Sequence, residues 1–171
     1  YQYFEPYDAH FVSCDEFDYA QGVYDDAFGQ TKPVSHMRQV RFCKPGFFVV
    51  RDTLTSTDGE AHDYELLFHM DTTQVRRTDA YPDAVITDFG RKYDLLMVAL
   101  DDAGTAVETQ IVSAQKEPRM RGWYNGRNDQ NLHPATTVSR CANGVNDCQF
   151  TTLLFPMRAG DVMPEVTVSD D

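Results

Sequence analysis

Short segments in which apolar and polar residues alternate recur along the chain, and they constrain its fold more than any other feature. The segment HDYELLFHM, residues 62–70, shows the pattern without a break. One face carries His62, Tyr64, Leu66, Phe68 and Met70. A period of two is typical of a β-strand with one buried face. No segment has the pattern of an amphipathic helix of three turns. Residues 14–26 come nearest, but Gly22 and the aromatic and β-branched content indicate a hairpin.

Turn-forming residues separate these segments about every ten residues, as in all-β domains. Pro45-Gly46 lies between RQVRFCK (38–44) and FFVVRDTL (47–54), which predicts two strands around a turn. Tight hairpins are expected at Asp58-Gly59, at residues 101–104 and at Asn143-Gly144. The sequence therefore predicts an all-β fold, an antiparallel β-sandwich, formed by a single domain over residues 1–171.

The charge of the chain excludes two classes of partner. There are 27 acidic and 15 basic residues, a formal net charge of −12. Such a field repels polyanions over a Debye length of about 8 Å at physiological salt. Nucleic acid and anionic membranes are therefore not expected as partners of the domain. No run of residues approaches the ~18 apolar residues of a membrane-spanning helix.

Two of the four cysteines lie close together in the sequence, in CANGVNDC. An Asn143-Gly144 turn would bring Cys141 and Cys148 onto adjacent strands, where a disulfide would stabilise the fold by about 2–3 kcal/mol. Two free thiols in a cytosolic protein are the alternative. A bridge would favour an exported protein, so a periplasmic or secreted location is the matching expectation.

The segment EPRMRGWYNGRNDQNLHP, residues 117–134, has the composition of a carbohydrate-binding site. Aromatic rings cover the C–H faces of sugars, while Arg and Asn side chains bind hydroxyl or carboxylate groups. The candidate contact residues are Arg121, Trp123, Tyr124, Arg127 and Asn128. The alternative is that Trp123 is a packing anchor in the core or between domains, with its neighbours in a solvated loop.

Two charged strand faces allow a functional and a structural interpretation. His36 and Arg38 share a face with Val40 and Phe42, either as a basic site or as residues that bond to a neighbouring loop or domain. Alternation alone explains their placement and favours the second interpretation. On residues 63–71 a second face carries Asp63, Glu65, Leu67, His69 and Asp71. Zinc usually needs converging ligands with His or Cys prominent. A solvated strand face is therefore favoured over a metal site there.

Four segments, taken in order, resemble one family. They are SHMRQVRFCKPGFFVVRDTL (35–54), HDYELLFHMDTTQV (62–75), RMRGWYNGRNDQNLHPATTV (119–138) and FTTLLFP (150–156). This order is similar to the region that follows the catalytic core in heparinase II/III-like polysaccharide lyases. FDYAQGVYDDAFG (17–29) matches the stretch that leads into that region, and the resemblance covers about residues 10–157.

The resemblance implies a longer parent enzyme with an N-terminal helical toroid and C-terminal β-sheet layers, of which this chain is a fragment. Such lyases cleave uronate-containing polysaccharides, such as a glycosaminoglycan or alginate, by β-elimination. Their catalytic Tyr and His lie in the toroid, and further His residues belong to a His-Asn-Thr signature. This chain has neither His-Asn-Thr nor His-x-His, so no catalytic or metal role falls on its residues.

The expected role is accordingly that of a non-catalytic domain which supports the catalytic one. Its partners would be the helical toroid and, through the parent, an acidic polysaccharide. The resemblance implies no cofactor in this chain and allows for a structural metal in the parent. An independent carbohydrate-binding module and a structural or oligomerisation domain are the alternatives.

Overall fold

The computed structural model describes residues 7–24, 33–81, 83–90, 92–100, 107–126, 131–158 and 160–167. In these residues the chain forms thirteen β-strands and no helix, and thus no helix that could cross a membrane. The strands are β1 (Tyr7–Ser13), β2 (Phe17–Tyr24), β3 (Val34–Cys43), β4 (Phe47–Ser56), β5 (His62–Met70), β6 (Val75–Arg77), β7 (Val85–Thr87), β8 (Tyr93–Leu100), β9 (Glu108–Ser113), β10 (Trp123–Asn125), β11 (Leu132–Pro134), β12 (Thr136–Val145) and β13 (Asp147–Arg158).

The strands form three antiparallel sheets. The large sheet has the order β1-β2-β3-β4-β13-β8-β7-β6, the small sheet has the order β5-β12-β9, and β10 and β11 make a separate two-stranded ribbon. The predicted all-β, antiparallel sandwich is confirmed. Pairing of β3 with β4 through all ten positions confirms the two strands around Pro45-Gly46. Within residues 14–26, where a hairpin was predicted in place of a helix, the described part forms the single strand β2, whose hairpin partner β1 precedes that segment.

The main core lies between the large and the small sheet. Leu54 and Phe150 of the large sheet pack with Tyr64 and Ala142 of the small one. A neighbouring cluster joins Met70 and Val138 of the small sheet to Val85 and Met97 of the large sheet. On the inner face of strand β5, Tyr64, Leu66 and Met70 are buried, and His62 and Phe68 are partly exposed. This confirms the alternation seen in the sequence.

The opposite face of the large sheet carries a third cluster. Leu96 and Leu153 lie at its centre, and Met163 and Val166 of the C-terminal segment pack against it. The Val166 amide donates a hydrogen bond to the Tyr81 hydroxyl oxygen at 3.1 Å. Residues 161–167 are therefore a covering segment without strand structure, and residues 168–171 lie outside the described part of the chain.

Strands β1 to β3 extend the large sheet beyond this core. All seven residues of β1 are exposed, and β2 has one buried residue, Val23. Within β3 the buried residue is Val34, at its first position. The small sheet therefore covers the half of the large sheet that includes β4, β13, β8 and β7.

The three predicted tight hairpins are wrong. Each connection carries the chain from one sheet to the other: β4 to β5, β8 to β9 and β12 to β13. Gly144 lies within β12, at a register irregularity opposite β5, with a φ of +65°. Residues 101–104 lie outside the described residues. Burial of both inner faces requires the strand after each of these connections to join the facing sheet instead of pairing with the strand before it.

The predicted disulfide is wrong for the same reason. Cys141 lies in the small sheet opposite Glu65 and Glu108, whereas Cys148 lies in the large sheet opposite Leu54. Cys148 is buried in the main core and Cys141 is half-buried beside Glu65 on the outer face of the small sheet. All four cysteines are free thiols. The exported location was inferred from this bridge and loses that support.

Candidate functional site

The ribbon β10–β11 holds two of the five predicted carbohydrate-binding residues, and a third, Arg121, lies just before it. Arg121 directly precedes Gly122, and Trp123 and Tyr124 begin β10. Arg127 and Asn128 lie outside the described residues. Trp123 pairs with Pro134 and Tyr124 pairs with His133 across the two strands. The side chains of each pair therefore share a face of the ribbon.

Gly122 attaches this ribbon to the small sheet. Its amide donates to Thr137 Oγ1 at 3.0 Å, and its carbonyl accepts hydrogen bonds from the amides of Ala114 (3.1 Å) and Ala135 (2.8 Å). The residue has a φ of +70°, where glycine is favoured. A Cβ there would lie 2.7–2.8 Å from three backbone atoms, which leaves no space for another residue type.

Arg121 is directed at the protein rather than at solvent. Its guanidinium forms a two-pronged ion pair with both carboxylate oxygens of Glu65, and Nη1 lies 3.5 Å from Ser139 Oγ. The hydrogen bond from Arg121 holds the pKa of Glu65 below its usual value. The Arg121 side chain is 17% exposed. This guanidinium is therefore committed to a carboxylate of the domain itself.

The same contacts revise the interpretation of the charged face of β5. Arg121 covers Glu65, and Thr137 Oγ1 lies 3.2 Å from His69 Nδ1. The face is therefore partly covered by the ribbon and the neighbouring strand instead of being fully solvated. Within the described residues, no three His, Cys, Asp or Glu side chains are grouped so that they could hold a metal ion.

The two aromatic residues of the ribbon have different environments. Trp123 is half-buried and its Nε1 donates to the Gln115 carbonyl at 2.8 Å, as a packing anchor would. Tyr124 stacks on His133 with the ring centroids 5.2 Å apart, and it is 42% exposed. Tyr124 is thus the aromatic ring of this segment that a sugar could cover.

A groove of about 1050 Å³ runs beside the ribbon, along the small sheet. Its polar lining includes Asp63, Gln110, Gln115, Arg119, Cys141 and Asn143. Amide and charged groups of this kind can bind hydroxyl groups of a ligand.

Asp52 organises a second polar cluster that was not identified from the sequence. It is fully buried, and its Oδ1 accepts hydrogen bonds from His36 Nε2 at 2.6 Å and from Arg38 Nε at 2.7 Å. Burial raises the pKa of Asp52, but the bonds from His36 and Arg38 outweigh it and lower the pKa below its usual value. Within the described residues His36 and Arg38 therefore bond to the adjacent strand, where the sequence had suggested a neighbouring loop or domain.

A sequence signal for this cluster existed. Arg38 lies directly opposite Asp52 in the β3–β4 register, and His36 lies opposite Leu54 on the same face. Counting outward from the Pro45-Gly46 turn would have paired Arg38 with Asp52, since residues directly opposite in an antiparallel pair share a face. The buried position of Asp52 was not foreseeable from alternation, because aspartate is normally a surface residue.

No protein-family model and no curated protein matches the chain. Among solved structures it is similar to the heparan sulfate lyase HepC from Pedobacter heparinus, with a TM-score of 0.67 and 13% identity over 92% of this chain and 22% of that one. A heparinase III matches with a TM-score of 0.64 and 13% identity, over 87% and 21% of the two chains. A further heparinase III structure gives 0.62 and 14%, over 88% and 21%.

At these identities the likeness concerns the fold. The chain spans about a fifth of the length of the structures it matches. Its strands are therefore arranged as in one portion of heparinase III-type lyases, consistent with the C-terminal β-sheet region that the sequence motifs had indicated.

Proposed function

We propose that this chain is a non-catalytic β-sandwich domain of a heparinase II/III-like polysaccharide lyase and supports the catalytic domain of that enzyme. One observation carries the proposal: the structural match extends over 92% of this chain but only 22% of the matched lyase. The order of the sequence motifs from residue 35 to residue 156 supports the same family independently.

The contact surface for the catalytic domain is proposed to be strand β1, at the outer edge of the extension formed by β1 to β3. On β1, Phe11 is 72% exposed, and Tyr7 and Val12 are about half exposed. Large apolar side chains grouped on an exposed strand are typical of protein–protein contacts. The partner would be the helical toroid, which would also cover β1, the first strand in the order of the large sheet.

The reaction assigned to the parent is β-elimination of a uronate-containing polysaccharide. A base removes the proton on C5, the electron pair forms the C4–C5 double bond, and the glycosidic oxygen leaves with a proton from an acid. Neutralisation of the uronate carboxylate lowers the barrier, because charge builds up next to it in the transition state. The base and acid are proposed to come from the toroid.

The test uses the full-length protein that contains this segment. Incubation with alginate or heparan sulfate should release the unsaturated uronate product, which is followed by ultraviolet absorbance. Phe11→Asp should lower both the thermal midpoint and the activity, because it places a charge in the proposed domain contact. Val162→Asp is the matched control, since Val162 is 92% exposed outside β1.

Two results would contradict the proposal. The first is the absence of elimination product from every uronate polysaccharide offered. The second is equal behaviour of Phe11→Asp and Val162→Asp, which would remove β1 from the domain contact.

An independent carbohydrate-binding module is the second candidate, favoured by the exposed Tyr124 ring and by the 1050 Å³ groove that Arg119 and Arg121 line. The 171-residue chain should then bind an oligosaccharide in a calorimetric titration, and Tyr124→Ala should weaken binding. Tyr93→Ala, on another exposed tyrosine, is the control. Absence of heat with oligouronates and neutral oligosaccharides alike would remove this candidate.

A further inference from the structure

Asp52 fixes the side chains of His36 and Arg38 at one position of the large sheet. The carboxylate is fully buried, and its Oδ1 accepts from both His36 and Arg38. Its other oxygen, Oδ2, is buried and has no partner among the described residues. His36 and Arg38 are therefore the groups that stabilise this buried charge, and in return their side chains are held in one orientation.

Both side chains keep free hydrogen-bonding capacity. Arg38 uses Nε for Asp52, and its Nη1 and Nη2 have no partner within the described part of the chain. His36 uses Nε2, which leaves Nδ1 without a partner among the same residues. The Arg38 side chain is 46% exposed. The guanidinium of Arg38 and the ring of His36 can therefore form further hydrogen bonds with a ligand that binds next to them.

A shallow groove of about 280 Å³ lies beside these groups, on strands β2 and β3. Its floor consists of Ala20, Gly22 and Val40, and Tyr24 lies next to His36. These residues share one face because Ala20 pairs with Val40, Gly22 with Arg38 and Tyr24 with His36. The small residues keep the floor flat, and Arg38 and His36 lie at one side of it.

This combination suits a ring that carries a carboxylate. A flat apolar floor can cover the C–H face of a pyranose, and the Nη1 and Nη2 groups of Arg38 match the two oxygens of a carboxylate. The volume is at the lower limit of ligand sites, which fits one ring and not an extended chain.

We propose that Arg38, positioned by Asp52, binds the carboxylate of a single uronate residue in the groove on β2 and β3, where His36 lies beside the same ring. The carboxylate chemistry follows from the geometry, and the choice of a uronate rests on the proposed function. Arg38 makes the bidentate contact, His36 provides a second polar contact through Nδ1, and Asp52 is a positioning residue without ligand contact.

The test is an NMR titration of the 171-residue chain with sodium glucuronate, with glucose and sodium acetate as matched probes. Glucuronate should give saturable shifts at residues of β2 and β3. Glucose lacks the carboxylate and acetate lacks the ring, so each should bind at least about tenfold more weakly. Equal binding of glucose would refute the carboxylate contact, and equal binding of acetate would refute recognition of the sugar.

Two variants and one control locate the site. Arg38→Gln should weaken glucuronate binding about tenfold or more through loss of a charge-assisted contact. Ala20→Leu should abolish binding by filling the groove, and it leaves the Asp52 hydrogen bonds intact. Arg51→Gln is the control, because Arg51 is exposed one position from Asp52 and therefore on the opposite sheet face. Unchanged binding in both variants, or equal loss in the control, would overturn the proposal.

The outcome is separable from that of the proposed function. Suppose that the full-length protein has eliminase activity and that Arg38→Gln leaves its substrate affinity unchanged. This result would refute the uronate site and leave the lyase assignment intact. Glucuronate binding that depends on Arg38, without any elimination by the full-length protein, would support the site and refute the assignment.

Discussion

Replacement of Gly122 by alanine is the sharpest structural perturbation that the fold offers. The residue joins the β10–β11 ribbon to the small sheet through its own amide and carbonyl. An added Cβ would lie 2.7 Å from the Ala114 nitrogen, 2.7 Å from the Val112 oxygen and 2.8 Å from the Ala135 oxygen. All three are backbone atoms, so no side-chain rotation can relieve the contact.

Two costs add in Gly122→Ala. The φ of +70° belongs to the left-handed region, which costs an L-residue about 1–2 kcal/mol. Crowding in a packed site costs typically about 1–3 kcal/mol more. The free energy of unfolding should therefore fall by about 2–5 kcal/mol. For a chain of this size that corresponds to a decrease in Tm of roughly 5–15 °C.

Gly144→Ala separates the two costs. Gly144 has a φ of +65°, and a Cβ there would have no atom within 4 Å. It should therefore lose only the conformational part, about 1–2 kcal/mol. Urea denaturation followed through the fluorescence of Trp123, the single tryptophan of the sequence, gives both values. Equal destabilisation by the two substitutions would refute the inference that close backbone packing makes Gly122 obligatory.

Three further predictions concern Phe150 of the core, the ion pair of Glu65 with Arg121, and the buried Asp52. Phe150→Ala should lower the free energy of unfolding by about 3–5 kcal/mol, since Phe150 is fully buried in the main core; a loss below about 1 kcal/mol in urea denaturation would contradict this. Glu65→Gln removes the charge that Arg121 contacts and should cost about 1–2 kcal/mol in the same assay, with no loss as the contrary result. The folded-state pKa of Asp52 is lowered, so its carboxylate stabilises the fold above its unfolded pKa of about 4, and this contribution is lost as the pH falls through the folded value. Asp52→Asn should therefore cost about 1–3 kcal/mol at neutral pH and reduce the steepness of acid unfolding below pH ~4, and an unchanged slope would contradict the assignment.

The strands themselves were predictable, because their signal is local. Segment 93–100 is strand β8 over its whole length, and segment 62–70 is strand β5. The alternation of apolar and polar residues indicates which side chains face the core. A turn signal such as Pro45-Gly46 indicates where the chain reverses direction. Neither depends on distant residues.

The candidate site was predictable only in part. Arg121 and Trp123 have the composition of a sugar site, but Glu65 and the Gln115 carbonyl already occupy their polar groups. Both partners lie outside residues 117–134, so the sequence of this segment alone could not identify them. Tyr124 remains an exposed ring, and Arg127 and Asn128 lie outside the described residues.

The sequence by itself determined the positions of the main strands, the turn at Pro45-Gly46, the all-β class and the motif order that points to heparinase II/III-like lyases. Only the tertiary structure decided which sheet each strand joins, and with it the free thiols of Cys141 and Cys148 and the burial of Asp52 between strands that carry His36 and Arg38. Alternation and turn chemistry act between neighbours in the chain. Sheet membership instead minimises the apolar area left exposed by the whole chain, which is a property of all strands together.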